Sequence, residues 1–150
     1  MLTSDAIAAS LRDAVPFVRT LGLEYLELEP GRALLRLPDD AAHHNHVAGP
    51  HAGAMFTLAE SASGAIVIGS FAHLLDRATP LAARAEIRYQ KLAMGPVLAE
   101  ATLGRDAAEV EAELLAGGKP EFGVHVVLRT EDGTQTGEMT IFWALKPHKR

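Results

Sequence analysis

Residues 52–72 read AGAMFTLAESASGAIVIGSFA, and how this stretch is buried decides the fold. Its 21 residues carry one formal charge, Glu60. As a helix it is long enough to cross a bilayer. A carboxylate in mid-span would be costly there, and the sequence that follows alternates like soluble β-sheet. The stretch is therefore expected to be a core helix, buried on all sides by its own chain.

The sequence on either side supplies the material to bury it. Upstream, residues 3–14 have helical spacing, with Thr3 or Ser4 as cap, Ile7, Leu11 and Val15 as an apolar stripe, and Pro16 near the end. Residues 17–20 add a further turn. Residues 23–29 and 32–37 read as strands joined by the turn pair Pro30-Gly31. Residues 38–50, PDDAAHHNHVAGP, form a polar loop ending in Gly49-Pro50, where a helix start is expected.

Downstream, Thr79 to Gln90 alternates strictly, with Arg84, Glu86, Arg88 and Gln90 opposite Ala85, Ile87 and Tyr89. Gly95-Pro96 predicts a second hairpin, with residues 97–103 as the partner strand. Asp106 and Glu109 have the spacing of a capping box, and Gly117 sits where that helix should end. Residues 121–131 and 134–145 alternate across Asp132-Gly133, a strong hairpin signal. Val124, Val126 and Leu128 share a face of the first strand; Met139, Ile141, Trp143 and Leu145 share a face of the second. The tail from Pro147 is expected to fray. The whole chain, residues 1–150, reads as one α+β domain, an antiparallel sheet curled round a central helix.

Composition narrows the function classes. The chain has 150 residues and a formal charge of −5, which gives no footprint for nucleic acid or an anionic membrane. It has no cysteine, so disulfide scaffolds, zinc-thiolate sites and thiol nucleophiles are excluded. That composition suits a reducing compartment, and a cytoplasmic location is expected.

The chemistry concentrates between Asn45 and Gly64. Glu60 is the only charged residue between His51 and His73, and a carboxylate in an apolar helix must be paired, protonated or open to a pocket. An isolated Glu more often lies on a solvated strip; here apolar and small neighbours on every side favour a base or nucleophile tuned by burial. Free N–H groups of Ala52 and Gly53 at the helix start could stabilise an oxyanion. His43, His44, His46 and His51 cluster, but no second ligand group or HExxH spacing accompanies them, and no metal is expected. Asn45 taken alone is a turn former.

The run from Asn45 to Glu60, NHVAGPHAGAMFTLAE, resembles the signature of the hot dog fold acyl-CoA thioesterases of the phenylacetate-pathway (PaaI-like) type. That signature has an Asn, then His-Gly-Gly six residues on, then Leu-Ala-Asp or Leu-Ala-Glu. Residues 87–96, IRYQKLAMGP, are similar to the family's strand and turn after the central helix. The resemblance implies a homodimer, or a dimer of dimers, joined at sheet edges with sites between subunits. By position it implies that Glu60 attacks or activates water. The Ala52 N–H, helped by Gly53, would polarise the carbonyl. Asn45, from the other subunit, and His51 would place thioester or water. The family's first Gly is Ala52 here. Its Thr or Ser one turn after the acid is Gly64 here, with Ser61 and Ser63 close by. Arg88 and Lys91 are candidate contacts for CoA phosphates, although exposed basic residues are more often merely solvated.

The leading expectation is hydrolysis of an acyl-CoA or acyl-carrier-protein thioester, needing neither metal nor redox cofactor, with CoA present only as part of the substrate. A fatty-acid-type dehydratase ranks behind it because its Pro-Gly lies closer to the acid. A non-catalytic acyl-CoA binding or sensing module is the alternative, made credible by Ala52 and Gly64.

Overall fold

Residues 4–149 are described by a computed structural model. Helices α1 (Ser4–Ala14) and α2 (Pro16–Leu21) lead into strands β1 (Glu24–Glu29) and β2 (Arg32–Leu37). Thr3 lies outside the described residues. After the loop comes α3 (Ala52–Phe71), then β3 (Ala78–Tyr89), β4 (Val97–Leu103), α4 (Ala107–Leu115), β5 (Glu121–Thr130) and β6 (Gln135–Pro147). The six strands form one antiparallel sheet in the order β1-β2-β4-β5-β6-β3. This is the arrangement expected of a sheet wrapped round a central helix.

The buried positions explain the wrap. Ala33, Leu35 and Leu37 of β2, Val97, Ala99 and Ala101 of β4, and Val124, Val126 and Leu128 of β5 all point inward and are buried. Met139, Ile141 and Leu145 of β6 complete the floor. The alanines let the sheet approach α3 closely, and Leu58, Ala59, Ala62 and Ala65 of that helix are fully buried. Length and composition would let this helix cross a membrane, yet most of it is buried inside the protein. On the outer side of the sheet Glu100 bonds Arg32 at 3.0 Å and Arg129 at 3.2 Å, which holds its carboxyl below the usual range, chiefly through the Arg32 bond.

Two hairpins form at the turns expected, with Gly31 and Gly133 in the left-handed region at φ 81° and 89°. Helix α4 is capped by Asp106, whose carboxylate accepts from the Ala108 and Glu109 N–H groups. The hairpin expected across Gly95-Pro96 does not form. β3 pairs with β6 along nearly its whole length, whereas β4 lies between β2 and β5. The reason is burial: β4 has an apolar inner face fit for the floor, whereas β3 is exposed along most of its length and takes the edge. Three strand spacings of about 4.8 Å separate the two, within reach of a seven-residue connection. That connection, residues 90–96, crosses to the loop before α3. There a side chain on Gly49 would strike the Ala93 carbonyl at 2.7 Å. The tail is also better held than expected: Pro147 ends β6, and the His148 ring contacts the Thr79 hydroxyl at 2.9 Å.

Leu58 is the clearest reporter of this grip. Leu58→Ala is expected to cost about 2–5 kcal/mol in chemical denaturation, because the closed sheet cannot collapse onto the cavity. A loss below about half a kcal/mol, the scale of an ordinary surface change, would mean that the sheet does not close tightly on α3.

Candidate active site

Helix α3 is buried along most of its surface, and one strip along its side is not. Gly53, Thr57, Glu60, Gly64 and Ile68 follow one another at three- or four-residue steps, and none of them is fully buried. Their spacing aligns them along one line of the helix. Glu60 is the one ionisable group of α3, and it lies on this strip.

A cavity of about 240 Å³ lies against this strip. Glu60 and Gly64 line it, together with Tyr25 of β1 and Trp143 of β6. Among the described residues, the Glu60 carboxylate has no hydrogen-bond or ion-pair partner, and burial alone pushes its pKa up. The Tyr25 phenol is also pushed up, mainly by its own burial; the Arg12 guanidinium pulls it down and the Glu60 carboxylate pushes it further up. Arg12 lies 5.9 Å from the centre of the Tyr25 ring. Tyr25 and Trp143 escape notice in the sequence because each sits in an ordinary strand pattern far from the central helix.

At the start of α3 the donors are divided unequally. His51 is the N-cap, and its Nδ1 accepts the Gly53 N–H at 2.8 Å. The ring proton must then sit on Nε2. Gly53 is thus not a free oxyanion donor as expected: its N–H is already spent on the cap. The Ala52 N–H donates to no acceptor among the described residues. The Tyr89 hydroxyl donates to the Ala52 carbonyl at 2.9 Å and ties the end of β3 to this corner.

Asn45 takes the turn-forming role. Its Oδ1 accepts from the N–H groups of Val47 at 3.0 Å and Gly49 at 3.1 Å, and its Nδ2 donates to the Pro50 carbonyl at 3.4 Å. Ala48 is held in the left-handed region at φ 59° by the same loop. These bonds shape the approach to α3. Ser63 lies on the enclosed side of α3. It is fully buried, its hydroxyl donates to the Glu60 carbonyl at 2.7 Å, and it accepts from Trp143 Nε1 at 3.3 Å. It braces the helix turn behind the carboxylate.

Gly64 stands on the cavity wall, where an added Cβ would meet the Trp143 ring at 3.9 Å, an ordinary contact. Arg88 is exposed, and its nearest acid is Glu86 at 3.4 Å. Lys91 is exposed just past Tyr89. A larger open groove of about 1220 Å³ lies at the other end of α3, near Gly69, His73 and Arg105, and includes none of these residues.

A carboxyl whose pKa rises on folding binds more protons in the native state than in the unfolded one. Its contribution therefore turns against the fold as pH climbs through and above the usual carboxyl range. Glu60→Gln should accordingly melt above the wild type at neutral pH, and the difference should shrink as pH falls below about 4, the ordinary glutamate range. Thermal denaturation across that span measures it. A variant less stable at neutral pH, or a gap independent of pH, would contradict the burial of this charge.

Comparison with known proteins follows the same line. The family described as a domain of unknown function, DUF4442, matches residues 3–145. A solved structure of a Pseudomonas aeruginosa protein of unknown function, described as a probable thioesterase, is 31% identical. It covers 98% of this chain and 97% of its own, with a TM-score of 0.86. A thioesterase family protein from Silicibacter pomeroyi is 19% identical over 97% of this chain and 100% of its own, with a TM-score of 0.75. The PaaI protein of the E. coli phenylacetic acid degradation operon is 13% identical over 95% of this chain and 92% of its own, with a TM-score of 0.74. The last two establish the fold alone. No functionally curated protein matches. With the sheet closed on α3 and these likenesses together, the chain belongs to the DUF4442 family and has the hot dog fold of the PaaI-like thioesterases.

Proposed function

We propose that the protein hydrolyses the thioester of an acyl-CoA, or of an acyl carrier protein, to the free acid and the thiol. The observation that carries this reading is the unpartnered Glu60 carboxylate, raised in pKa by burial and facing a cavity in an apolar core. A general base works best when its pKa approaches the working pH, and burial moves Glu60 that way. In the proposed reaction Glu60 takes a proton from a water as its oxygen bonds to the thioester carbon. The carbonyl oxygen becomes an oxyanion and accepts the Ala52 N–H. The tetrahedral species collapses, the carbon–sulfur bond breaks, and the leaving thiolate takes the proton back from Glu60.

The helix itself sets a constraint on this scheme. Ala52 and Glu60 are eight residues apart on α3, about 12 Å along its axis at about 1.5 Å per residue. One carbonyl group cannot sit within reach of both. The proposed site therefore takes Ala52 from one copy of the chain and Glu60 from another. β3 offers the means: it is a 12-residue edge strand with Leu81 and Tyr89 exposed, a liability in a lone subunit. Pairing it with a second copy would make a homodimer, which could pair again into a dimer of dimers. Lys91 and Arg88, at the end of that strand, are the proposed contacts for CoA phosphates.

Glu60→Gln should lower turnover of acyl-CoA substrates by at least about a hundredfold. Ligand binding without turnover in the wild type would favour the alternative, a non-catalytic acyl-CoA binding or sensing module. Ala52→Pro removes the donor at the one helix position that accepts proline, and His51 already has the extended backbone (φ −63°, ψ 143°) that a following proline requires. Each variant alone should be inactive. Co-expressed in equal amounts, they should recover about a quarter of wild-type turnover, since half the dimers would be mixed and each would hold one intact site. No recovery would mean that a single protomer supplies both groups.

A further inference from the structure

We propose that Tyr89 is a positioning residue of the active site, which aims the free Ala52 N–H by clamping the peptide group that follows it. The role rests on the thioesterase reading above; the clamp is made of bonds present at the start of α3.

The Ala52–Gly53 peptide group is a rigid plane with its carbonyl and its N–H on opposite edges. Both edges are held. The Tyr89 hydroxyl donates to the Ala52 carbonyl at 2.9 Å, and the Gly53 N–H donates to His51 Nδ1 at 2.8 Å. A plane held on both edges is fixed against rotation about the chain. The His51 ring also belongs to the residue before Ala52, so the two bonds fix the backbone on either side of it. The direction of the Ala52 N–H follows from that backbone. Among the described residues this N–H has no acceptor. A donor for a developing oxyanion is effective only within about 2.7–3.1 Å of where the charge will sit, so its aim matters.

Tyr89 is a firm post because its own strand end is gripped. It stands opposite Gly137 of β6, where an added Cβ would come within 2.7 Å of the Arg88 carbonyl. The two strands approach this closely only because residue 137 has no side chain. Just past Tyr89, the N–H groups of Gln90 and Lys91 both donate to the Thr136 carbonyl, at 2.8 and 3.1 Å. The Gln135 side chain donates to that of Gln90 at 3.0 Å. Burial pushes the Tyr89 phenol up, so at neutral pH it keeps the proton that it donates. The residue is nonetheless 48% exposed, so Tyr89→Phe opens no core cavity and isolates the hydroxyl.

That variant is the test. With acyl-CoA substrates its kcat is expected to fall about ten- to a hundredfold while KM stays within about twofold, the pattern of stabilisation lost in the transition state alone. A tyrosine with a merely structural role would lower the melting temperature and leave kcat unchanged. The second readout needs no turnover: amide hydrogen exchange of Gly53, whose N–H is the other half of the clamp. It should speed up at least about threefold in Tyr89→Phe, with the buried Ala99 and Val126 amides of the sheet unaltered. An unchanged kcat, or a fall in kcat with unchanged Gly53 exchange, would overturn the proposal. The wild type separates the two readings. No turnover in either protein removes the hydrolase and the aiming role with it; equal turnover in both removes the role of Tyr89 alone.

Discussion

An apolar helix cannot stand in water, and α3 is apolar on nearly every side. The sheet must therefore curl far enough round it to cover most of its circumference. Four inner strands do so with buried alanine, valine, leucine, isoleucine and methionine side chains. The coverage stops at one strip, and Glu60 lies on it. The carboxylate is less solvated than a surface glutamate would be and, among the described residues, has no partner such as a core glutamate would need. Such a group costs stability at neutral pH, and its retention in a helix that is otherwise so fully packed is best explained by function.

Much of this was legible from residue patterns, because the signals were local. The length and apolarity of residues 52–72, the Pro30-Gly31 and Asp132-Gly133 turns, and the Asp106 cap each specify nearby geometry, and each led to the element found. The β3–β4 connection misled because Gly95-Pro96 marks a change of direction and says nothing of which strand lies next door. What decided the pairing was long-range: the inner face of β4 is apolar enough for the middle of the sheet, whereas β3 carries Arg84, Glu86 and Arg88. The site was legible to the same degree. Glu60 and Ala52 could be picked out from their places on the helix. The roles of Gly53, Asn45 and Ser63 depended on which hydrogen bonds their neighbours had already claimed, and spacing alone does not carry that information. Tyr25 and Trp143 reach Glu60 only through the closure of the sheet.

The loop before α3 now has a clear purpose. Asn45 ties its own loop, Gly49 makes room for the Ala93 carbonyl, and His51 caps the helix through its Nδ1. Together these leave the Ala52 N–H exposed and unspent at a rigid corner, further fastened by Tyr89. In the proposed mechanism this corner serves the Glu60 of a second copy, since the helix holds the two groups too far apart to act on one carbonyl. The same strand that fastens the corner is the open edge through which that second copy would join.

The central claim is that Glu60 is a buried, unpartnered carboxylate held at the edge of solvent. The most direct measurement is its own titration, followed by carbon NMR of the glutamate carboxyls in the wild type and assigned by the signal missing in Glu60→Gln. The account expects that signal to titrate above about 4.3, the ordinary glutamate value. A midpoint at or below that value would mean that Glu60 is solvated or paired in solution, and the argument from burial to base catalysis would fail.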